Sequence, residues 1–153
     1  MTDVPRPTAS TGAPTSASLL EVRALNVVYG AVSAVQDLSL TVAAGSAVAI
    51  LGANGAGKSS VLRTIGGLQT PKSGEIWFAG ARADGLPAET LVRRGIAMVT
   101  DSRDLFPRFT VEANLKMGAL RLPSREWSAS RDRVLDLFPP LRRLLGRSAW
   151  TLS

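Results

Sequence analysis

One stretch constrains this chain more than any other: Leu51-Gly52-Ala53-Asn54-Gly55-Ala56-Gly57-Lys58-Ser59-Ser60. Gly52, Gly57, Lys58 and Ser59 fall at the spacing G-x-x-x-x-G-K-[ST], the pattern of a phosphate-binding loop. Ahead of it, Ala47-Val48-Ala49-Ile50-Leu51 is a short apolar run of buried-strand type, and Ser59 onward begins a helical pattern. Glycines without a Cβ let such a loop turn tightly, so that successive backbone N–H groups converge on one point. The helix that follows aims its unpaired N–H groups and positive dipole end at the same place. A polyphosphate suits that arrangement, with Lys58 against the β- and γ-phosphates and the Ser59 hydroxyl on Mg²⁺.

The rest of the composition narrows the chemistry. The chain of 153 residues is long enough for one domain with a core, and its 45% hydrophobic and 20% charged residues are those of a globular protein. It has no Cys and no His, which excludes disulfides, thiolate metal sites and the commonest general base. No run approaches the ~18 apolar residues of a membrane span, and the N-terminus lacks the pattern of a signal peptide, so a cytoplasmic location is expected. The formal charge of +6 comes from 18 basic and 12 acidic residues, Arg far outnumbering Lys. That charge suits nucleic acid or an anionic membrane, or simply an Arg-rich protein with one anion-binding loop. No basic block is interleaved with aromatics as single-strand binders require, so no nucleic-acid partner is expected.

Taken in order, residues 1–18 are rich in Thr, Ser, Ala and Pro and read as a disordered leader. Residues 20–25 alternate as a half-buried strand that 27–29 continue to Gly30, and residues 32–42 read as a second strand or pair. Beyond the loop and its helix, Pro71-Lys72-Ser73-Gly74 marks a turn and residues 75–80 a strand closed by Gly. Pro87 suits the first turn of a helix running to about Arg94, and residues 96–99 read as another buried strand. Residues 101–109 are polar and irregular, and Thr110 is placed to cap a helix to about Gly118. Pro123-Ser124 interrupts it, residues 127–138 are amphipathic, and Leu141, Leu144 and Leu145 begin a last helical patch after Pro139-Pro140. The order predicts an α/β chain in which an antiparallel β portion joins a parallel core.

Several segments then fall into one familiar sequence: Tyr29-Gly30, the glycine loop, Gly66-Gly67-Leu68, Gly95-Ile96-Ala97-Met98-Val99, and Leu105-Phe106-Pro107-Arg108-Phe109 running into Thr110-Val111-Glu112-Ala113-Asn114-Leu115. From about Leu19 onward the chain resembles the nucleotide-binding subunit of ABC transporters, most closely the ATP-binding subunits of branched-chain amino-acid importers. The resemblance implies a P-loop NTPase (ABC ATPase) fold, with a β portion and P-loop core over 19–100, a Q-loop over 101–109 and a helical subdomain over 110–153. It implies ATP and Mg²⁺ as ligands, held by Gly52, Ala53, Asn54, Gly55, Ala56, Gly57, Lys58, Ser59 and Ser60. Tyr29 takes the position of the aromatic that stacks on adenine, against the plainer reading that it ends a strand in the core. Val35 takes that of a small apolar residue beside the base. Asp101 stands where the family has Gln or Glu in the Q-loop; a carboxylate shorter by one methylene than Glu is either an Mg²⁺ ligand or an ordinary loop Asp.

Relative to the family's pattern, the sequence stops at Leu152-Ser153, where the L-S-G-G-Q signature opens. The signature glycines, the Walker B Asp, the Glu beside it and the switch His are not among these residues, so no catalytic residue is assigned, and an incomplete parallel core with unpaired strand edges is expected. By resemblance, the activity is ATP-driven import of amino acids. It would proceed together with transmembrane permease subunits, a second ATP-binding subunit and, indirectly, a solute-binding protein, on the inner face of the plasma membrane. A stand-alone module that binds nucleotide without turnover is the alternative, and a cytosolic ABC protein acting on ribosomes or DNA a further one.

Overall fold

The computed structural model describes residues 18–100 and 105–152. The chain divides between Met98 and Val99 into two compact units. The first is built on an antiparallel sheet. Its central strand β1 (Ser18–Tyr29) pairs with β2 (Val32–Ala43) on one side and β3 (Ser73–Phe78) on the other, and the short β4 (Ala81–Arg82) closes the order β2-β1-β3-β4. β1 buries Val22, Leu25 and Val27, each at most 1% exposed, and the odd step from 22 to 25 falls at a register shift of the ladder. Tyr29 pairs with Val32 across the turn that Gly30 makes at φ 57°. Ala79 and Gly80 both take positive φ between Phe78 and Ala81, as a two-residue hairpin turn requires.

The β1–β2 ladder is irregular where the pattern breaks. Register shifts flank the Val27–Val35 pair on both sides, and Ala24 and Asp37 take φ of 46° and 47°. Asn26 clamps this region: its Oδ1 accepts from the Asp37 N–H and its Nδ2 donates to the Ala24 carbonyl. The core gathers Val22, Leu25, Val27, Val35, Ile76, Ala83, Leu91 and Val61. Val61 comes from helix α1 (Lys58–Ile65), whose other buried residue, Thr64, bonds its hydroxyl to the Ser60 carbonyl at 2.8 Å. Leu91 comes from α2 (Ala88–Arg93), which Pro87 precedes as N-cap.

Two expected strands are not there. Residues 47–51 and 96–99 form no ladder, although Ile50 and Ile96 pack on the core. Their other faces are open, with Leu51 88% and Val99 92% exposed. A strand is made by its neighbours' hydrogen bonds, and among the described residues neither run has a ladder partner. Ser18, placed with the leader, opens β1; the other residues of that leader lie outside the described residues.

The second unit is helical. Thr110 caps α3 (Val111–Gly118) by accepting from the Ala113 N–H at 3.1 Å, as its position predicts. Helix α4 (Ser124–Leu137) starts three residues before the expected amphipathic stretch, directly after Pro123, and a 3₁₀ helix spans Pro139–Leu144. Asn114 bonds both the N–H and the carbonyl of Phe106, and the rings of Phe106 and Phe109 stack 5.2 Å apart. Arg131 of α4 bridges to Glu112 of α3 at 3.1 Å. Among the described residues, no helix is long and apolar enough to cross a membrane.

Candidate functional site

The loop after residue 51 turns on Gly55 and Gly57, whose φ values of 83° and 88° lie in the left-handed region that a side chain resists. Gly57 is also the N-cap of α1, so no side chain caps the helix and its first turn carries no acidic residue. The N–H groups of the first turn therefore have neither a capping oxygen nor a carboxylate competing for their positive field. That is the arrangement that accepts an anion.

Gly57 is glycine for a second reason. A Cβ on it would meet the Ala34 carbonyl oxygen at 2.2 Å and Val35 Cγ2 at 3.2 Å, so the loop is seated on the backbone of β2. Lys58 folds back over the loop, its Nζ donating to the carbonyls of Gly52 at 2.8 Å and Ala53 at 2.7 Å. The Ala56 N–H also bonds the Ala53 carbonyl, at 3.2 Å, which closes the turn through Asn54 and Gly55. Ser59 is exposed and Ser60 half-buried at the head of the helix.

The structure thus brings Gly52 to Ser60 together in one loop and adds Val35 behind it. Val35 is only 7% exposed, a member of the core. Tyr29, at the end of β1, is 41% exposed and so does not end its strand in the core. Asp101 lies outside the described residues. What the sequence did not offer is the approach of Ala34 to Gly57: it is a backbone contact between segments more than twenty residues apart, and no side-chain pattern announces it.

A second polar cluster lies on the sheet, built from cross-strand neighbours. Arg23 bonds Glu21 at 2.7 Å and approaches Glu75, while Arg82 pairs with both Glu75 and Asp84. The Trp77 ring lies 5.9 Å from one guanidinium and 5.8 Å from the other, and its Nε1 donates to Glu75. Burial pushes the Asp84 carboxyl up, but the Arg82 hydrogen bond and the Ile76 N–H outweigh it and hold the group below the ordinary carboxylate range. Each charge has an opposite one beside it, so this cluster braces the strands; among its carboxylate oxygens, Glu21 Oε2 is buried without a hydrogen-bond partner.

The chain is 38% identical over 135 residues to the high-affinity branched-chain amino acid transport ATP-binding protein BraG of Pseudomonas aeruginosa, which covers 88% of this chain and 58% of that protein. It is 36% identical to the probable branched-chain amino acid transport ATP-binding protein LivF of Archaeoglobus fulgidus, over 88% of this chain and 57% of that one. The chain therefore spans a little over half the length of these curated relatives. A solved structure of the ATP binding subunit of an ABC transporter superposes with a TM-score of 0.73 at 35% identity, over 86% of this chain and 54% of that one. The sheet and the helices are those of an ABC ATPase cassette. The ABC transporter model itself matches residues 35–150, and by that match and these relatives the chain belongs to the ABC transporter family.

Proposed function

We propose that these residues form the nucleotide-binding portion of the ATP-binding subunit of an ABC importer for branched-chain amino acids, and that residues 52–60 grip the phosphates of Mg-ATP. The observation that carries this is the uncapped start of α1 behind a left-handed Gly57, with Lys58 held over the loop by two carbonyls it can leave. Lys58 moves onto the β- and γ-phosphates, and the first-turn N–H groups and the Ser60 hydroxyl take the remaining phosphate oxygens. Mg²⁺ prefers hard oxygen ligands, and the exposed Ser59 hydroxyl at the head of the helix suits it, with Asp101 as the second protein ligand. When bound, the ion neutralises charge on the β- and γ-oxygens. The exposed Tyr29 ring offers a face for adenine, worth about 1–3 kcal/mol per base stacked.

These residues bind ATP and do not turn it over alone. Phosphoryl transfer needs a positioned water and further charges on the γ-phosphate, and the sequence has no His and no apolar strand ending in Asp-Glu. The names of the two relatives support branched-chain amino acids as cargo. The partners are permease subunits, a second ATP-binding subunit and a solute-binding protein, at the cytoplasmic face of the membrane.

The test is competition at equilibrium against a fluorescent ATP analogue. ATP and ADP should displace it and AMP should not, because the loop reads the phosphate tail; AMP competing as well as ATP would sink the assignment. Phosphate release should stay at background, and Mg²⁺-dependent release abolished by Lys58→Ala would overturn the statement on turnover. For the cargo, deleting the gene in its own cell should lower uptake of labelled leucine, isoleucine and valine. Unchanged uptake of all three removes the import reading.

A further inference from the structure

We propose that Val35 is a positioning residue for the phosphate loop: it holds Gly57 in its left-handed turn from behind and does not contact the nucleotide base. The proposal rests on the reading above that residues 52–60 bind nucleotide phosphates.

Three observations converge on Val35. Its side chain is 7% exposed, which leaves almost no surface for a ligand, whereas Tyr29 keeps 41%. Its Cγ2 lies 3.2 Å from where a Gly57 Cβ would be, and the Ala34 carbonyl oxygen lies 2.2 Å from the same point. In the core it joins Val27, its partner across the ladder, and Val61 of α1. Val35 therefore pairs with the sheet, shares its core with the helix that follows the loop, and lies beside the glycine between them.

The strand is shaped for this. The ladder shifts register on both sides of the Val27–Val35 pair, and Asn26 pins the distortion through the Asp37 N–H. Bulges bend a strand and re-aim the residues beside it; here the re-aimed backbone is the one Gly57 rests on. A loop that binds phosphates through backbone N–H groups gains affinity by being held in the bound shape beforehand. Truncating Val35 opens space directly behind Gly57 and gives the loop other shapes to occupy.

The experiment compares Mg²⁺-bound ATP with inorganic tripolyphosphate, which has no base, on wild type, Val35→Ala and Val22→Ala. Val22 is as deeply buried in the same core but pairs with Leu40 and Ile76, not with the loop. Affinities are measured where circular dichroism shows each variant folded. Val35→Ala should weaken both ligands by the same factor, about tenfold, the order expected when preorganisation is lost. Val22→Ala should leave both within about twofold. Loss of ATP affinity alone would make Val35 a base contact and overturn the proposal. Equal losses from Val22→Ala and Val35→Ala would reduce it to general core packing, and no loss from Val35→Ala would also end it. Should Val35→Ala fail to fold, Val35→Leu pushes a longer side chain at Gly57 and should weaken both ligands alike; unchanged affinity there refutes the proposal. Wild type that binds neither ligand refutes the nucleotide site itself, a separate outcome.

Discussion

Lys58→Ala separates what the lysine does for the empty loop from what it does for the nucleotide. In the structure its ammonium is satisfied by the carbonyls of Gly52 and Ala53 at 2.8 and 2.7 Å, both in an exposed loop. Water replaces such a donor readily, so losing the two bonds should cost at most about 1 kcal/mol. For a chain of this size that lowers Tm by less than about 4 °C. Mg-ATP at 100 times its Kd adds about 2.7 kcal/mol, a rise of about 5–11 °C in the wild type. A charge-assisted bond to phosphate is worth about 1.5–3 kcal/mol, so the variant's Kd should rise about 10- to 150-fold. At the same ATP concentration the stabilisation then falls to about 1.4 kcal/mol or less. Differential scanning fluorimetry of both proteins, with and without Mg-ATP, reads all four numbers. A variant that keeps the full ligand shift would show that Lys58 does not reach the phosphates. A variant that loses about 8 °C with no ligand present would show instead that the lysine is a structural clamp.

Thr110→Ala removes the oxygen that accepts from the Ala113 N–H, and should cost about 1 kcal/mol in urea unfolding, largely restored in Thr110→Ser; a loss below about 0.3 kcal/mol would mean the cap is idle. Ile76 is 1% exposed in the sheet core, so Ile76→Ala should cost about 2–5 kcal/mol, and a cost under about 1 kcal/mol would contradict that packing. The Asp84 carboxyl is held below its ordinary range, so its charged form stabilises the fold above the unfolded value near ~3.9, and the contribution is lost as pH falls through the lower folded value. The Tm gap between wild type and Asp84→Asn should therefore be full at neutral pH and shrink below about pH 4; a gap constant from pH 7 to 3 would refute the coupling to Arg82.

Local chemistry was legible in the sequence, and long-range pairing was not. The glycine loop, the helix after it and the Thr110 cap each depend on a few adjacent residues, and each stands where the residues place it. Pro123 separates α3 from α4, as a helix-breaking proline should, and Ser124 already opens α4, with Glu126 in its first turn. Pro139-Pro140 likewise starts a 3₁₀ helix, since proline's missing N–H costs nothing in a first turn. The runs 47–51 and 96–99 have strand composition, but composition cannot supply the neighbour that makes a strand. Within the candidate site, the residues Gly52 to Ser60 of the glycine loop could be named from spacing alone. The seat under Gly57 could not, because it is made by a main-chain carbonyl that any residue at position 34 would present.

That last fact bears on what mutation and selection can do here. Most damaged sites can be repaired by a compensating change in whatever the new side chain strikes. At Gly57 the obstacle is the Ala34 carbonyl oxygen, an atom no codon can alter. A screen for second-site revertants of Gly57→Ala should accordingly return the original glycine and no substitution at 34, and the lineage is left with one permitted letter at this position.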